Sequence, residues 1–218
     1  DVPLGFDADS VLNVSLEMRD VELDSVALVA LRLRLLASVE NVPGVSHASL
    51  RESVPFAGSS SWPLFVAGID SVGALGEFHL NMVSADYFRT MGTPIVRGRS
   101  FETTDRDRTR RVAVVGASMA AALWPGQDPI GRCFRVGADT MPCTYVVGVA
   151  ANIRSQTFEA ESRLFFYYLP AAQWYPQLGG LFVRTQGPAR RLVEPGVRRS
   201  LRPRLPGFGN EGDQRCVS

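Results

Sequence analysis

Hydrophobic residues near the start of the chain recur with helical spacing between two extended segments. Asp24 is a favourable N-cap, and Pro43 followed by Gly44 ends the helix because proline cannot continue it. The flanking segments 7–18 and 45–54 have the alternation or composition of strands. The opening of the chain therefore predicts a strand, a helix and a second strand. The apolar positions of the predicted helix are Leu28, Leu31, Leu35, Val39 and Val42.

The middle of the chain predicts short strands and two brief helices. Residues 55–63, PFAGSSSWP, are rich in proline, glycine and serine and predict a linker at a subdomain boundary. One helix is predicted at 85–91, with Ser84 as its N-cap and Gly92 as its end, and another at 117–124, ended by a proline. Strands are predicted at 64–69, 77–83, 94–97, 111–115 and 144–150, the last apolar throughout and therefore buried on both faces.

The closing third returns to the pattern of the opening. Strands are predicted at 163–169 and 181–185, and a helix at 188–201, kinked or split by Pro195 and Gly196. The fold class is therefore α+β with two subdomains: an αβ layer built from both chain ends, and a mostly β subdomain inserted between them. The predicted boundaries are 1–60 and 143–206 for the two halves of the layer, 61–142 for the insertion and 207–218 for an irregular tail.

Composition and charge exclude several classes. The 218 residues are 45% hydrophobic with a net charge of +1, so the chain is globular and has no electrostatic argument for nucleic acid. No run of 18 apolar residues predicts a membrane helix, and the first residues do not resemble a signal peptide. An excised portion of a longer protein would have these properties.

Two cysteines flank a predicted hairpin. Cys133 and Cys143 enclose FRVGADTMP, where a turn at 137–139 would place the two side chains across from one another. A disulfide there would add roughly 2 to 3 kcal/mol and would suit an oxidising compartment such as the periplasm. Two buried free thiols are an equally good interpretation. The third cysteine, Cys216, lies in the polar tail.

The sequence predicts no catalytic, metal or cofactor site. Ser118 in VAVVGASMA resembles a nucleophile elbow, but both histidines precede it, whereas the catalytic histidine of that fold follows its serine. No cysteine or histidine spacing fits zinc, and a Walker motif cannot exist because the chain contains no lysine. Asp105 and Asp107 are assigned to a solvated loop. Trp174 and Tyr175, in a loop rich in proline and glutamine, are the predicted partner-facing pair.

Four segments in this order resemble a known family. They are LNMVSADYFRTMGTPIVRGRSF, VAVVGASMAAALWPGQDPIGRCFRV, YVVGVAANIR and LFFYYLPAAQ. Together they resemble the periplasmic core domain of MacB-like ABC transporter permeases, especially the acidobacterial type, over about residues 5–206. The resemblance implies a porter-like αβ subdomain and an inserted β subdomain called Sabre.

The resemblance also implies a function. Such a domain does not catalyse but couples a cytoplasmic ABC ATPase to efflux, lipoprotein handling or mechanotransmission. It implies no cofactor, a position on the periplasmic side of the inner membrane, a dimeric full-length transporter, and a periplasmic adaptor or lipoprotein as partner. Two features depart from the family: Gly116 and Ala117 replace an Asn-Glu type pair, and the tail after Pro206 does not resemble an approach to a membrane helix.

Two other functions are weighed against this one. A periplasmic module that traps a small molecule between its lobes would require a closed pocket at the lobe boundary. A serine hydrolase would require a base beside Ser118.

Overall fold

The computed structural model describes residues 10–15, 24–51, 61–153, 164–174, 180–186 and 190–201. The first helix and its capping agree with the prediction, because the Asp24 carboxylate accepts a hydrogen bond of 2.7 Å from the backbone N–H of Ala27. Helices are α1 (Ser25–Glu40), α2 (Tyr87–Met91), α3 (Ala117–Leu123), α4 (Ala171–Trp174) and α5 (Arg190–Leu201), with a 3-10 turn at Val72–Leu75. The predicted linker at 55–63 lies mostly outside the described residues.

Ten strands form one hydrogen-bonded array. They are β1 (Val11–Ser15), β2 (Val45–Arg51), β3 (Leu64–Phe65), β4 (Glu77–Val83), β5 (Ile95–Gly98), β6 (Val112–Gly116), β7 (Cys133–Val136), β8 (Thr144–Ala150), β9 (Leu164–Pro170) and β10 (Gly180–Thr185). Their order is β1-β10-β2-β4-β9-β6-β8-β7-β3, with β5 also paired to β8. The β4–β9 and β6–β8 pairs are parallel and the other pairs are antiparallel.

Both ends of the chain contribute to one αβ layer, as predicted. Helices α1 and α5 contact each other and cover β1, β10 and β2, and a single apolar cluster fills the space between them. Leu35 and Val39 of the helical stripe are fully buried there. Gly196 lets α5 approach α1, because a Cβ at that position would lie 2.9 Å from the Val42 side chain. Helix α5 continues through Pro195 without a break.

The inserted part is mostly β, also as predicted. In a second apolar cluster, α3 packs against the central strands. In a third, α2 and Phe101 pack against a different set of side chains from the sheet. Strand β8 pairs with β5, β6 and β7, so hydrogen bonding is continuous across the predicted boundary at residue 143. The boundaries themselves stay a prediction.

One predicted cap is wrong. Ser84 does not cap α2: its hydroxyl accepts a hydrogen bond of 3.0 Å from the Leu50 backbone N–H, and Asp86 is the N-cap residue. The serine therefore ties two neighbouring strands rather than a helix end. The predicted end of the same helix is confirmed, because Gly92 has φ 69° in the left-handed region that glycine favours.

Two glycines let the backbone of β5 cross β8 closely. Gly98 and Gly148 are opposite one another in the antiparallel pair. A Cβ on Gly148 would collide with the Arg99 carbonyl, and a Cβ on Gly98 would collide with the Val147 carbonyl. Because both obstacles are backbone atoms, no side-chain rotation relieves them. The close crossing requires glycine on both strands.

We therefore expect Gly148→Ala to lower the free energy of unfolding by about 1 to 3 kcal/mol, the usual cost of forcing an extra carbon into a packed site. Gly73→Ala is the matched control, because a Cβ there meets nothing within 4 Å and the backbone is not in the left-handed region. Urea unfolding followed by circular dichroism measures both. Equal stabilities of the two variants would contradict the close crossing.

Candidate functional site

A loop between β5 and β6 is anchored by an ion pair whose carboxylate is buried and whose guanidinium is partly exposed. The Arg99 guanidinium donates two hydrogen bonds to the Asp105 carboxylate, from Nη1 to Oδ2 at 2.7 Å and from Nη2 to Oδ1 at 3.0 Å. The Glu102 backbone N–H donates a third, at 2.9 Å. The Asp105 side chain is 8% exposed, so the prediction of a solvated position is wrong for this residue. The local sequence pattern that suggested solvation did not indicate that Arg99 pairs with Asp105.

The pKa of Asp105 reflects two opposing effects. Burial raises the pKa of its carboxyl group, but the hydrogen bonds from Arg99 and from the Glu102 backbone outweigh burial, and the net pKa is lowered. The charged form is therefore favoured in the folded protein. The hydrogen bonds that anchor the loop are made to this carboxylate.

Gln173 of α4 anchors the far end of the same loop. Its side-chain oxygen accepts a hydrogen bond of 3.1 Å from the Val112 backbone N–H. Its Nε2 lies 2.9 Å from the Arg110 carbonyl and 3.0 Å from the Thr109 hydroxyl. A residue more than 60 positions along the chain thus positions the loop, which no local sequence signal could indicate.

Helix α2 packs against both β9 and the end-built layer, which consists of α1, α5, β1, β2 and β10. Tyr87 is fully buried, and its ring centroid lies 5.5 Å from that of Tyr168 on β9 and 6.1 Å from that of Phe182 on β10. The Arg184 guanidinium on β10 donates a hydrogen bond of 2.7 Å to the Thr90 carbonyl near the end of the helix. A cation at a helix carboxyl end is electrostatically favourable. Helix α2 therefore contacts β9 and β10 through buried rings and receives a hydrogen bond from Arg184.

Within the residues that the structure describes, neither histidine lies beside Ser118. The backbone N–H of Ser118 donates a hydrogen bond of 2.8 Å to Asn152 Oδ1 at the start of α3. His79 is on β4 and stacks on Phe166 at 5.4 Å, while β9 lies between β4 and the strand that leads to Ser118. His47 is farther away in the sheet, on β2.

The predicted cysteine pair lies on adjacent strand ends. The structure joins Cys133 and Cys143 by a disulfide, with a Cα–Cα distance of 5.5 Å. The bond closes the turn between β7 and β8, which pair through Cys133 opposite Tyr145.

Of the predicted partner-facing pair, Trp174 is described and Tyr175 lies outside the described residues. Trp174 is half-buried, and its ring contacts the Trp62 ring edge-on, with 5.9 Å between the ring centroids. The Arg111 guanidinium lies over the Trp174 ring, 4.7 Å from its centroid. It also packs on the apolar cluster of the inserted part. A partner-facing role for these two residues stays a prediction.

Two features are absent from the residues that the structure describes. Within the ranges that the structure describes, no three potential ligands cluster to hold a metal ion. None of the helices described there has the length and hydrophobicity to cross a bilayer.

Comparisons with known proteins assign the family. The profile of the MacB-like periplasmic core domain matches residues 6–193. The probable export ATP-binding/permease protein MacB of Pseudomonas entomophila (strain L48) is 34% identical over 77 residues. That match covers 35% of this chain and 11% of the Pseudomonas protein, so the chain corresponds to a small part of that relative.

Solved structures share the fold. The periplasmic region of MacB from Actinobacillus actinomycetemcomitans superimposes with a TM-score of 0.58 at 16% identity, covering 91% of this chain and 83% of that one. The extracellular domain of the noncanonic ABC-type transporter YknZ from Gram-positive bacteria gives 0.59 at 17% identity, covering 88% and 93%. The fold is thus that of the extracytoplasmic domains of ABC-type transporters. The chain belongs to the MacB-like periplasmic core domain family.

We expect Asp105→Asn to lower the free energy of unfolding at pH 7 by about 1 to 2 kcal/mol, a modest loss because the Arg99 side chain is 39% exposed. The folded-state pKa is below the ordinary value, so the carboxylate stabilises the fold above about pH 4 and that stabilisation is lost as pH falls through the folded pKa.

Urea unfolding at pH 7 and pH 3 should therefore show that the wild type has a higher free energy of unfolding than Asp105→Asn, and that this difference is smaller at pH 3. Asp107→Asn is the control in the same loop, because its side chain is 55% exposed. A difference in the free energy of unfolding between wild type and Asp105→Asn that is unchanged or larger at pH 3 would contradict the proposed ionisation.

We also expect mass spectrometry of oxidised, non-reduced protein to recover a peptide in which Cys133 is linked to Cys143. Reduction should lower the free energy of unfolding by about 2 to 3 kcal/mol, because a short loop is no longer closed in the unfolded chain. The variant with both cysteines replaced by alanine is the control, since it should not respond to reductant. Free thiols at both positions in secreted material would refute the bond.

Proposed function

We propose that this chain is the non-catalytic, extracytoplasmic domain of a MacB-like ABC permease in the cell inner membrane. It carries motion produced by a cytoplasmic ABC ATPase to a periplasmic adaptor or lipoprotein partner. The motion serves efflux, lipoprotein handling or mechanotransmission, and the full-length transporter works as a dimer. The family match over residues 6–193 is the observation that supports this proposal most directly.

The layer built from both chain ends supports the proposal. Strand β1 and helix α5 come from opposite ends of the described chain, yet they contact each other within one layer. A domain inserted between two membrane helices must return the chain to the layer from which it left. The inserted part is then the region available to a partner.

The junction through α2 supports a mechanical role. The ring contacts of Tyr87 and the hydrogen bond from Arg184 to the Thr90 carbonyl link the two parts through buried groups. Packed interfaces of this kind change between discrete arrangements rather than deforming continuously. A lever of two parts needs such a connection.

A distance measurement in the full-length transporter tests the proposal. Spin labels are attached to cysteines that replace Leu33 on α1 and Val96 on β5, whose side chains are 63% and 54% exposed. They measure the distance between the two elements. Cys216→Ser removes a competing thiol. We expect the distance distribution to differ between the nucleotide-free transporter and the transporter trapped with ATP and vanadate, because ATP hydrolysis drives the relative motion of the two parts.

A label pair at Gly73 and Val96, both in the inserted part, is the matched control and should not change. Identical Leu33–Val96 distributions in both states of an active transporter would overturn the mechanical role. Movement of the control pair alone would place the motion inside the inserted part and would also contradict the proposal.

A further inference from the structure

A groove of about 530 Å³ lies between the anchored loop, which spans residues 99–111, and strand β8. This volume is within the range of about 300 to 1,000 Å³ typical of sites for small ligands. The groove is lined by β5, β8 and the loops between them, and not by the end-built layer. Strand β8 follows the predicted boundary at residue 143, so the groove lies beside that boundary, but it is open to solvent and is not the closed pocket that a clamping module would need.

One part of the groove is aliphatic. Val112, Val147 and Ile130 line it, and Ile130 is 36% exposed although its side chain is large and apolar. Gly98 and Gly131 leave this wall uncovered because they have no side chain. An aliphatic surface open to solvent next to a groove can bind the apolar part of a ligand.

The groove also carries one cation without a carboxylate partner. The Arg110 guanidinium lies flat over the Tyr145 ring, with its Cζ 3.4 Å from the ring centroid. This stacking uses one face of the guanidinium and leaves its N–H edge available. Among the described residues, no carboxylate forms an ion pair with Arg110, which is exposed.

Two other arginines of the loop are paired with carboxylates. Arg99 is bound to Asp105 in the groove wall, and Arg108 lies 3.7 Å from Asp107 farther along the loop. The groove thus offers one oriented cation beside an aliphatic surface. The two-pronged edge of a guanidinium fits a carboxylate or a phosphate. One cation balances the single charge of a carboxylate but only half the charge of a phosphate dianion, so a carboxylate is the better match.

We propose that this groove binds a small amphipathic carboxylate. The carboxylate accepts two hydrogen bonds from the edge of Arg110, and the apolar chain packs against Val112, Ile130 and Val147. Tyr145 is a positioning residue because its ring holds the guanidinium in place. The inference goes beyond the transporter role and does not depend on it, since it concerns the groove of this chain alone.

Titration of the 218-residue chain with hexanoate, followed by amide NMR signals, tests the site. We expect saturable shifts centred on the amides of Gly98, Thr109 and Gly131, with a dissociation constant on the order of 1 mM for so small a ligand. Acetate, hexan-1-ol and hexylamine should each bind about tenfold more weakly or worse, because each lacks either the chain or the carboxylate.

Two arginine variants distinguish the site from general attraction to a basic loop. Arg110→Ala should weaken hexanoate binding about tenfold or more, and Arg110→Lys should restore only part of it because lysine lacks the planar fork. Arg108→Ala is the matched control, since Arg108 is 93% exposed in the same loop, and it should bind as the wild type does. Spectra unchanged away from the groove show that each variant is folded.

Three results would overturn the proposal. Equal weakening by Arg108→Ala and Arg110→Ala would show non-specific attraction, and hexylamine binding as tightly as hexanoate would exclude recognition of the carboxylate. Binding of acetyl-leucyl-leucine through its free carboxylate without binding of hexanoate would assign the groove to a protein terminus instead.

Discussion

Burial of strand β9 on both faces is the constraint on which the rest of the structure depends. Tyr167 and Tyr168 are adjacent in the chain and both almost fully buried, so their side chains enter different apolar clusters on the two faces of the sheet. A strand buried in this way requires a covering layer on each side. Burial also raises the pKa of both phenol groups, which keeps them neutral.

The pairing of β9 determines the arrangement around it. It is parallel to β4 on one edge and antiparallel to β6 on the other, and β4 contacts the end-built layer through β2. Helix α2 then packs Tyr87 against Tyr168 of the same strand. The connection proposed to carry motion is thus built on a strand buried on both faces, where distortion is costly.

The exposed features are supported by polar contacts rather than by apolar burial. The loop that forms one wall of the groove is held by Asp105 at one end and by Gln173 at the other. These contacts leave Arg110 at the rim, above Tyr145. The inserted part thus combines a rigid sheet with a hydrogen-bonded rim, a suitable arrangement for a surface that meets a ligand or partner.

The sequence by itself determined the elements whose signals are local. Asp24 caps α1 and Gly92 ends α2, whereas α1 ends at Glu40, before the predicted stop at Pro43-Gly44. The pattern of strands and helices indicated an αβ layer from both chain ends with a β insertion. The family was recognisable because several such segments occur in a particular order. The hairpin around the two cysteines was also a local signal, since its strands are neighbours in the chain.

Only the tertiary structure decided the groove and the junction. Asp105 is buried where it pairs with Arg99, and Gln173 bonds to a loop that is distant in the sequence. The Ser84 hydroxyl bonds to a neighbouring strand instead of capping a helix, and Arg184 bonds to the Thr90 carbonyl. Local sequence patterns do not indicate these partners. A side chain's hydrogen-bond partner depends on which backbone atoms the folded sheet brings near it. Periodicity describes which face a residue occupies, but it carries no information on what that face meets.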